Sequence, residues 1–395
     1  MIAKKPGLKT GIIIIVLILF IFTAFLFYYY RSAKREKAML KMQRDYYLGI
    51  IQSEQRWLAE LQLSNGALPF RAAENGPAAI IPYFSCITAL ALLEEGPDGI
   101  KYAEAVKRYF DWHNAHLNNA ASDRHGVSGT IYNYSVEVSN GIVQSEETEQ
   151  KYDSTDSYAA LFLIALWEYY NKTGDTKLLV ERYQNINDVI NAMIYTVDTD
   201  GLSFAKPGSR VKYLMDNAEV YQGLSSAINL LKKVFLPHYH EGTPEHTGAS
   251  EVLAHLQEIK DKQADSFAKL LWNDTEQRYE VGIDKAGEPL AFKDWTCFYP
   301  DAVAQLFPII YKVIETESEQ AQYLYHTFGE HFEWGKLEHF ENGHASFYWG
   351  LTAYCGALMG DEERVLSYLD CYLQKVPPDY RYPAYNADVA WVVMA

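Results

Sequence analysis

The sequence predicts an all-α protein, an (α/α)6 barrel with small β-hairpins in its loops, preceded by one N-terminal transmembrane helix. Three observations predict it. An uncharged run of twenty residues lies near the N-terminus. Apolar residues then recur at helical spacing through about twelve segments, most of which come in pairs. The long connections fall before alternate helices, so the loops should gather at one end of six inner helices ringed by six outer ones.

The uncharged run covers residues 11–30 and follows a ten-residue tail, 1–10. Its length is what a helix needs to cross a bilayer. Tyr28, Tyr29 and Tyr30 sit where interfacial aromatic residues are expected. Because no small-x-small cleavage site follows closely, we interpret the run as an uncleaved anchor. A buried soluble helix is disfavoured, since twenty apolar residues would have to be covered on every side.

Residues 31–44 form a basic juxtamembrane segment with six Lys/Arg, against three before the span. A positive-inside count alone would keep the following domain in the cytoplasm. The same cations would be attracted to anionic lipid.

The remaining residues, 45–395, are interpreted as a single domain, because no linker or low-complexity segment interrupts them. The predicted helices span 45–63, 79–94, 97–119, 156–172, 176–196, 217–235, 247–272, 299–314, 316–331, 344–359, 361–375 and 386–395. The long connections are 64–78, 120–155, 197–216, 273–298 and 332–343. Residues 130–138 and 278–283 alternate like strands inside two of these connections. A helical solenoid would give similar pairing, but its fixed-period repeats are not visible.

Charge and motifs exclude several classes of function. The first 45 residues hold nine Lys/Arg and two Asp/Glu, against 35 and 51 in the whole chain, so the rest carries a net charge of −23. A domain this acidic is a poor partner for nucleic acid. The sequence contains no G-x-S-x-G elbow, no P-loop and no H-E-x-x-H. The tract with His238, His240 and His246 is interpreted as a solvated connection. We expect neither a metal site nor a cofactor.

Carboxylates recur just before or at the starts of predicted inner helices. They are Glu74, Asp153, Asp156, Asp216 and Asp301. Each has a structural alternative: Asp216 with Glu219 reads as a capping box, and Asp156 could cap its helix or lie near the helix dipole. Their joint placement, rather than any single motif, favours a shared cleft.

Glycosidic bond cleavage needs two carboxyl groups, one protonated and one ionised. Glu74 suits the general acid, since it lies in a Gly/Pro-shaped loop ahead of an apolar helix. Asp216 suits the general base, because a helix start would stabilise its anion. Asp156 would orient the sugar at the scissile bond. Aromatic rings that can pack on sugar rings are frequent in the loops. The further substrate-binding candidates are Tyr152, Asp153, Tyr213, Asn217, Trp295, Tyr299, Asp301 and Trp349.

Four segments carry a resemblance to a known family. They are the Glu74 loop, Asp153-Ser154-Thr155-Asp156, the stretch from Trp272-Asn273-Asp274 to Tyr279, and Tyr299-Pro300-Asp301-Ala302. With them, residues 45–395 resemble the six-hairpin (α/α)6-barrel glycosidases, most closely glycoside hydrolase family 8 and the exopolysaccharide-hydrolysing PssZ proteins. The usual Ser-Glu-Gly-x-Gly-Tyr-Gly motif around the acid is replaced here by Ala73-Glu74-Asn75-Gly76-Pro77.

The resemblance implies inversion of configuration, with Glu74 as acid, Thr155-Asp156 on the central sugar and a later Asp, placed at Asp216, as base. It also implies action outside the cytoplasmic membrane and, as a partner, an exopolysaccharide synthase complex. The expectation is therefore a membrane-anchored, single-pass endo-glycosidase that cuts a bacterial exopolysaccharide extracellularly. Two rivals stay open: a non-catalytic polysaccharide-binding scaffold, and a sugar epimerase or lyase for which His344 is a candidate residue.

Overall fold

The structure is a computed structural model that describes residues 8–96, 99–335, 349–376 and 385–395, without the side chains of 8–16, 18 and 24. The chain divides into two compact units, Met1–Ser53 and Glu54–Ala395. We call the second the barrel unit. The predicted His344 lies outside the described residues.

The α-helices are α1 (Leu8–Glu60), α2 (Pro82–Leu92), α3 (Ala103–Ala115), α4 (Asp156–Thr173), α5 (Thr176–Glu181), α6 (Tyr183–Ile194), α7 (Leu214–Leu230), α8 (Leu236–His238), α9 (Pro244–Ser266), α10 (Phe307–Ile310), α11 (Glu319–His331), α12 (Leu351–Leu358), α13 (Glu362–Lys375) and α14 (Asn386–Met394). π-Helical turns occupy Leu231–Phe235, Phe267–Leu271 and Phe298–Ala302. The strands are β1 (Asn75–Ile80), β2 (Tyr134–Ser139), β3 (Ile142–Thr148), β4 (Val211–Tyr213), β5 (Trp272–Asn273), β6 (Arg278–Tyr279) and β7 (Gly282–Asp284).

Six helices form a closed inner ring in the barrel unit. Neighbours in the ring are α2 and α4, α4 and α7, α7 and α10, α10 and α12, α12 and α14, and finally α14 and α2. The helices that alternate with them along the chain are α3, α6, α9, α11 and α13, and fewer than half of the residues in each are buried, as expected for an outer position. Most residues of the inner helices are buried, as a position inside such a ring requires.

Helices α4 and α7 pack closely at Gly223. A Cβ added to Gly223 would lie 2.7 Å from the Ala160 Cβ and 2.8 Å from the Met193 sulfur. Real Cβ atoms do not come that close, so the glycine lets the two inner helices pack at short range.

The strands belong to three small antiparallel sheets placed in the loops. Strands β1, β2 and β3 form one sheet in that order; β4 pairs with β7, and β5 with β6. The strand predicted at 130–138 overlaps β2, and that at 278–283 overlaps β6 and β7. The helix predicted from residue 79 begins instead at Pro82, because residues 75–80 pair with β2 from Asn75↔Ser139 to Ile80↔Tyr134.

The first unit is helical from Leu8 onwards and carries large exposed apolar side chains at Leu17, at 19–22 and at 25–30. Over the residues that the structure describes, no helix combines the length and hydropathy that a bilayer-spanning segment needs. The side chains of 11–16, 18 and 24 lie outside that description. The transmembrane helix at 11–30 therefore stays a prediction.

Candidate active site

The first residues of the inner helices bring three carboxylates together. Asp156 is the first residue of α4 and is fully buried. Its Oδ1 accepts a hydrogen bond from the Ser157 backbone N–H at 2.8 Å, and its Oδ2 accepts one from Ser203 Oγ at 2.5 Å. The preceding Thr155 makes no side-chain capping bond to the helix. Asp156 is thus fixed on both oxygens, inside the barrel rather than on its rim.

Asp216 and Glu219 come from the first two turns of α7. The capping box suggested by their spacing is not formed, because the N-cap of α7 is Tyr213 and no side chain bonds the helix start. Glu219 is instead 1% exposed and accepts a 2.5 Å hydrogen bond from the Tyr83 hydroxyl, at the start of α2. Asp216 is half-buried. We call Asp156, Asp216 and Glu219 the carboxylate cluster.

Burial and mutual repulsion favour the protonated forms of all three acids. Burial raises the pKa of Asp156 to about 7 and that of Glu219 to about 8; in Glu219 the charge of Asp216 adds to the rise. The pKa of Asp216 is raised well above its usual value by burial, then by the charges of Asp156 and Asp153. The cluster therefore retains protons near neutral pH, as a general acid must.

A polar network behind the cluster positions Asp156. Asn217 Oδ1 accepts a hydrogen bond from the Ser203 backbone N–H at 2.8 Å and from Gln263 Nε2 at 3.1 Å. The segment that carries Ser203 is held by Lys212, whose Nζ lies 2.8 Å from Asp198 Oδ2 and 2.6 Å from Asp200 Oδ2. Asn217, predicted to bind substrate, is fully buried in this network.

Three other predicted residues lie at the accessible edge of the cluster. The Asp153 side chain is 96% exposed, with Oδ1 4.0 Å from Lys206 Nζ. Tyr213 and Tyr299 are 39% and 43% exposed. The charges of Asp216 and Asp153 both raise the pKa of Tyr299, as does Tyr213, which brings these four groups into one neighbourhood.

Trp349 extends this edge from the other side. Its ring lies 5.3 Å from that of Tyr299, centroid to centroid. The backbone at Trp349 has a left-handed φ of 55° and donates its N–H to Asp388 Oδ1 at 2.9 Å. This conformation is unfavourable for a residue other than glycine. The hydrogen bond to Asp388, at the start of α14, helps to hold the backbone that carries the Trp349 ring.

The remaining predicted residues are Glu74, Tyr152, Trp295 and Asp301. Glu74 is exposed, in the turn before β1. Tyr152 is buried with its ring stacked 5.3 Å from that of Tyr132. Trp295 stacks on His331 at the end of α11, and Asp301 is buried and accepts a hydrogen bond from the Lys293 backbone N–H at 2.8 Å. The structure does not join these four to the carboxylate cluster, and their predicted roles stay predictions.

Sequence reasoning missed Glu219, Tyr83, Ser203, Ser157 and Tyr311 as site residues. The hydroxyls of Ser157 and Tyr311 oppose the rise in the pKa of Glu219, as the Tyr83 hydroxyl does. One signal in the sequence could have indicated Glu219. It is followed by apolar residues of a helix that should be buried, and a buried acid needs hydrogen-bond partners.

Several solved structures have a fold similar to that of this chain. A glycosidase superposes with a TM-score of 0.57 at 11% identity, over 88% of this chain and 95% of that one. An α-amylase from Clostridium perfringens gives 0.54 at 8% identity, over 88% and 96%. An uncharacterized conserved protein from Thermus thermophilus gives 0.53 at 10% identity, over 87% and 99%.

No protein-family model and no curated protein sequence matches this chain significantly. The predicted likeness to glycoside hydrolase family 8 and to the PssZ proteins therefore stays a prediction. At the level of the fold, the chain is similar to glycosidases, and its helices close into the predicted ring.

Proposed function

We propose that this protein is a glycoside hydrolase whose substrate is a polysaccharide. Its catalytic carboxyl groups would lie at the N-terminal ends of its inner helices. The observation that carries the proposal is the proton-retaining carboxylate cluster beside partly exposed aromatic rings. Tyr213, Tyr299 and Trp349 offer flat faces for sugar rings, next to Asp216. The glycosidases and the α-amylase of similar fold support the reaction class.

Asp216 is proposed as the general acid. It is the member of the cluster with partial exposure, and burial together with two neighbouring carboxylates raises its pKa. This reverses the role predicted from the sequence, where Asp216 was the base. Asp156 and Glu219 are buried, so in this proposal they do not touch the sugar. The charge of Asp156 helps to keep Asp216 protonated.

The general base must be ionised and open to water. Asp153 is proposed as this base, since its side chain is 96% exposed and lies near Asp216. Glu74, the acid predicted from the sequence, is the second candidate base because it too is exposed. Inversion of configuration and endo action on a bacterial exopolysaccharide belong to the same proposal.

Attachment to a membrane through residues 11–30 also remains part of the proposal, with an extracellular barrel unit and an exopolysaccharide synthase complex as partner. It is supported by the exposed apolar side chains between Leu17 and Tyr30 and by the six basic residues that follow in 31–44.

The first experiment supplies the full-length chain, in detergent, with amylose, mixed-linkage β-glucan, xylan, chitosan and purified bacterial exopolysaccharides. New reducing ends measure cleavage, and NMR of the first product gives its anomeric configuration. We expect cleavage of at least one polymer with inversion. Retention would contradict the inverting mechanism. Binding without cleavage of any polymer would favour the scaffold instead.

Variants separate the acid from the base. Asp216→Asn should lose at least about a hundredfold in turnover of the cleaved polymer, since general acid catalysis contributes roughly 10²–10⁴. Asp153→Ala and Glu74→Ala are compared with and without sodium azide, because the azide anion attacks the anomeric carbon without a general base. The product of that attack is a glycosyl azide, which is measured in place of new reducing ends. Rescue of only one of the two identifies the base. Full activity of Asp216→Asn would refute the assignment of the acid.

A further inference from the structure

A cavity in the barrel unit is lined by residues of the outer helices α9 and α11 and of the loops beside them. It has a volume of about 740 Å³ and lies between the end of α9, the β5–β6 hairpin and the start of α11. None of its described lining residues belongs to the carboxylate cluster or to the aromatic edge beside it. The volume falls within the roughly 300–1,000 Å³ typical of ligand sites. We call it the lateral groove.

The walls of the lateral groove carry rigidly held aromatic rings. Trp272 is half-buried; its Nε1 donates to Asp274 Oδ1 at 2.9 Å, and its ring packs edge-on against Tyr279 at 5.1 Å. Tyr323, on α11, also lines the lateral groove and is 45% exposed. Exposed Ala264 and Ala268 lie one turn apart along the groove. Because alanine is so short, the space between the two rings stays open.

The polar groups of the lateral groove are amides and carboxylates. Gln277 and Gln320 supply amide donors and acceptors, and Asp274 and Glu319 supply acceptors. Its described lining contains no lysine or arginine. Phosphate, sulfate and uronate polymers therefore have no cation to pair with, and an entirely apolar partner would leave these polar groups without water.

We propose that the lateral groove is a second sugar-binding site that takes an uncharged or amino-sugar segment of a polysaccharide, outside the catalytic cleft. Trp272 and Tyr323 stack on sugar rings, while Gln277, Asp274 and Glu319 hydrogen-bond to hydroxyls. The choice of a sugar as occupant rests on the proposed function. The groove would hold a long polymer beside the barrel while another segment of it is cut.

The test uses the full-length chain with 5-fluorotryptophan incorporated and the substitution Asp216→Asn, so that the probes are not consumed. Maltohexaose, cellohexaose and hexa-N-acetylchitohexaose are titrated while ¹⁹F NMR is recorded. The Trp272 signal is assigned by its loss in Trp272→Phe. Trp167, which packs against Tyr170 on α4 and does not line the groove, serves as the matched reference and is assigned with Trp167→Phe.

We expect at least one hexasaccharide to shift the Trp272 signal with saturation and to leave Trp167 unchanged. Tyr323→Ala should weaken that binding roughly tenfold, as the loss of an aromatic contact predicts. Ala264→Arg, which fills the groove from an exposed helical position without touching the core, should weaken it as much. A Trp272 signal that no hexasaccharide shifts, or a shift untouched by both variants, overturns the proposal.

Failure of the groove and failure of the proposed function give different results. In the active chain, Tyr323→Ala should leave the rate on a hexasaccharide unchanged and lower the rate on the parent polymer several-fold. Cleavage without any Trp272 response rejects the lateral groove and keeps the hydrolase. A saturable Trp272 response in a chain that cleaves nothing rejects the hydrolase and keeps the groove.

Discussion

The Tyr83 hydroxyl donates a 2.5 Å hydrogen bond to Glu219 Oε1, joining residues 136 positions apart in the sequence. The bond connects the first turn of α2 to the second turn of α7, two inner helices that are not neighbours in the ring. It therefore crosses the interior of the barrel at the level of the carboxylate cluster. The phenol lowers the pKa of Glu219, but burial outweighs it and the pKa stays near 8.

Glu219 should make the protein less stable as the pH rises. Its pKa is about 8 in the folded chain, against an ordinary value of 4.5, so the folded chain binds the extra proton between these pH values. The free energy of unfolding should then fall as pH rises from about 4.5 to 8, by a few kcal/mol at most. Urea denaturation at intervals of one pH unit measures it. Glu219→Gln should flatten the slope.

Two comparisons make this test specific. Burial lowers the pKa of His113 to about 3, so this residue makes the free energy of unfolding rise with pH between 3 and 6.5. That contribution is the same in wild type and variant. Glu251→Gln, at an exposed position on α9, should leave the slope unchanged. An identical pH dependence in wild type and Glu219→Gln would show that Glu219 is not held protonated.

Lys206 should set the alkaline limit of activity. Its charge lowers the pKa of Asp216, against the larger effects of burial and of two carboxylates. Lys206→Met removes that charge, so the pKa of Asp216 rises and the alkaline fall in kcat/KM should move to higher pH. Rates on the cleaved polymer between pH 5 and 10 measure the shift. Lys177→Met, at an exposed i,i+4 pair with Glu181, should not move the limit. A shift to lower pH would rule out Asp216 as the acid.

Lys212 should be a main support of the segment that carries Ser203. Its side chain is 3% exposed and pairs with both Asp198 and Asp200. Lys212→Met leaves two carboxylates without their cation and should cost about 2–4 kcal/mol, somewhat less than a fully buried pair because both acids are partly exposed. Lys269→Met breaks an exposed pair with Asp265 and should cost about 0.5 kcal/mol or less. Equal losses of unfolding free energy would contradict this prediction.

Gly223 should be needed for the packing of α4 against α7. A methyl group there meets Ala160 and Met193 at 2.7–2.8 Å, so Gly223→Ala should destabilise the fold by about 1–3 kcal/mol despite the better helix propensity of alanine. Gly248→Ala is the matched change on α9, where nothing lies within 4 Å, and should stabilise by up to about 1 kcal/mol. Thermal denaturation of both variants measures the difference, and stabilisation by Gly223→Ala would refute the close approach.

Much of the fold followed from local pattern. The 3.6-residue periodicity predicts the helices and their pairing, because periodicity depends only on residues that are near one another along the chain. Strand β1 was missed because its apolar residues Ala78, Ala79 and Ile80 run directly into α2. Only pairing with β2, about sixty residues away, makes them a strand. The helix predicted over 299–314 is also broken, into the π-turn Phe298–Ala302 and the short α-helix Phe307–Ile310.

Only part of the site could be predicted, because only part of it is visible in local sequence patterns. Asp156 and Asp216 were recognised as acids at inner-helix starts, and both lie in the carboxylate cluster. Glu219 was interpreted as half of a capping box, since three-residue spacing is a local signal. Its partner Tyr83 is far away in sequence, and no local pattern reports a buried hydrogen bond of that kind. Tyr152 and Trp295 are predicted as loop aromatics that could pack on sugar rings, and each packs on another ring of the protein.

The closure of the ring has a consequence for biosynthesis. The last inner helix, α14, packs against the first, α2, and the Asn386 backbone N–H donates to Phe70 O at 3.0 Å. These contacts join residues about three hundred positions apart, so they form only after nearly the whole barrel unit has left the ribosome. Until then the face of α2 that α14 covers is open. While α14 is still being synthesised, this apolar face of α2 is a surface of the kind that chaperones bind.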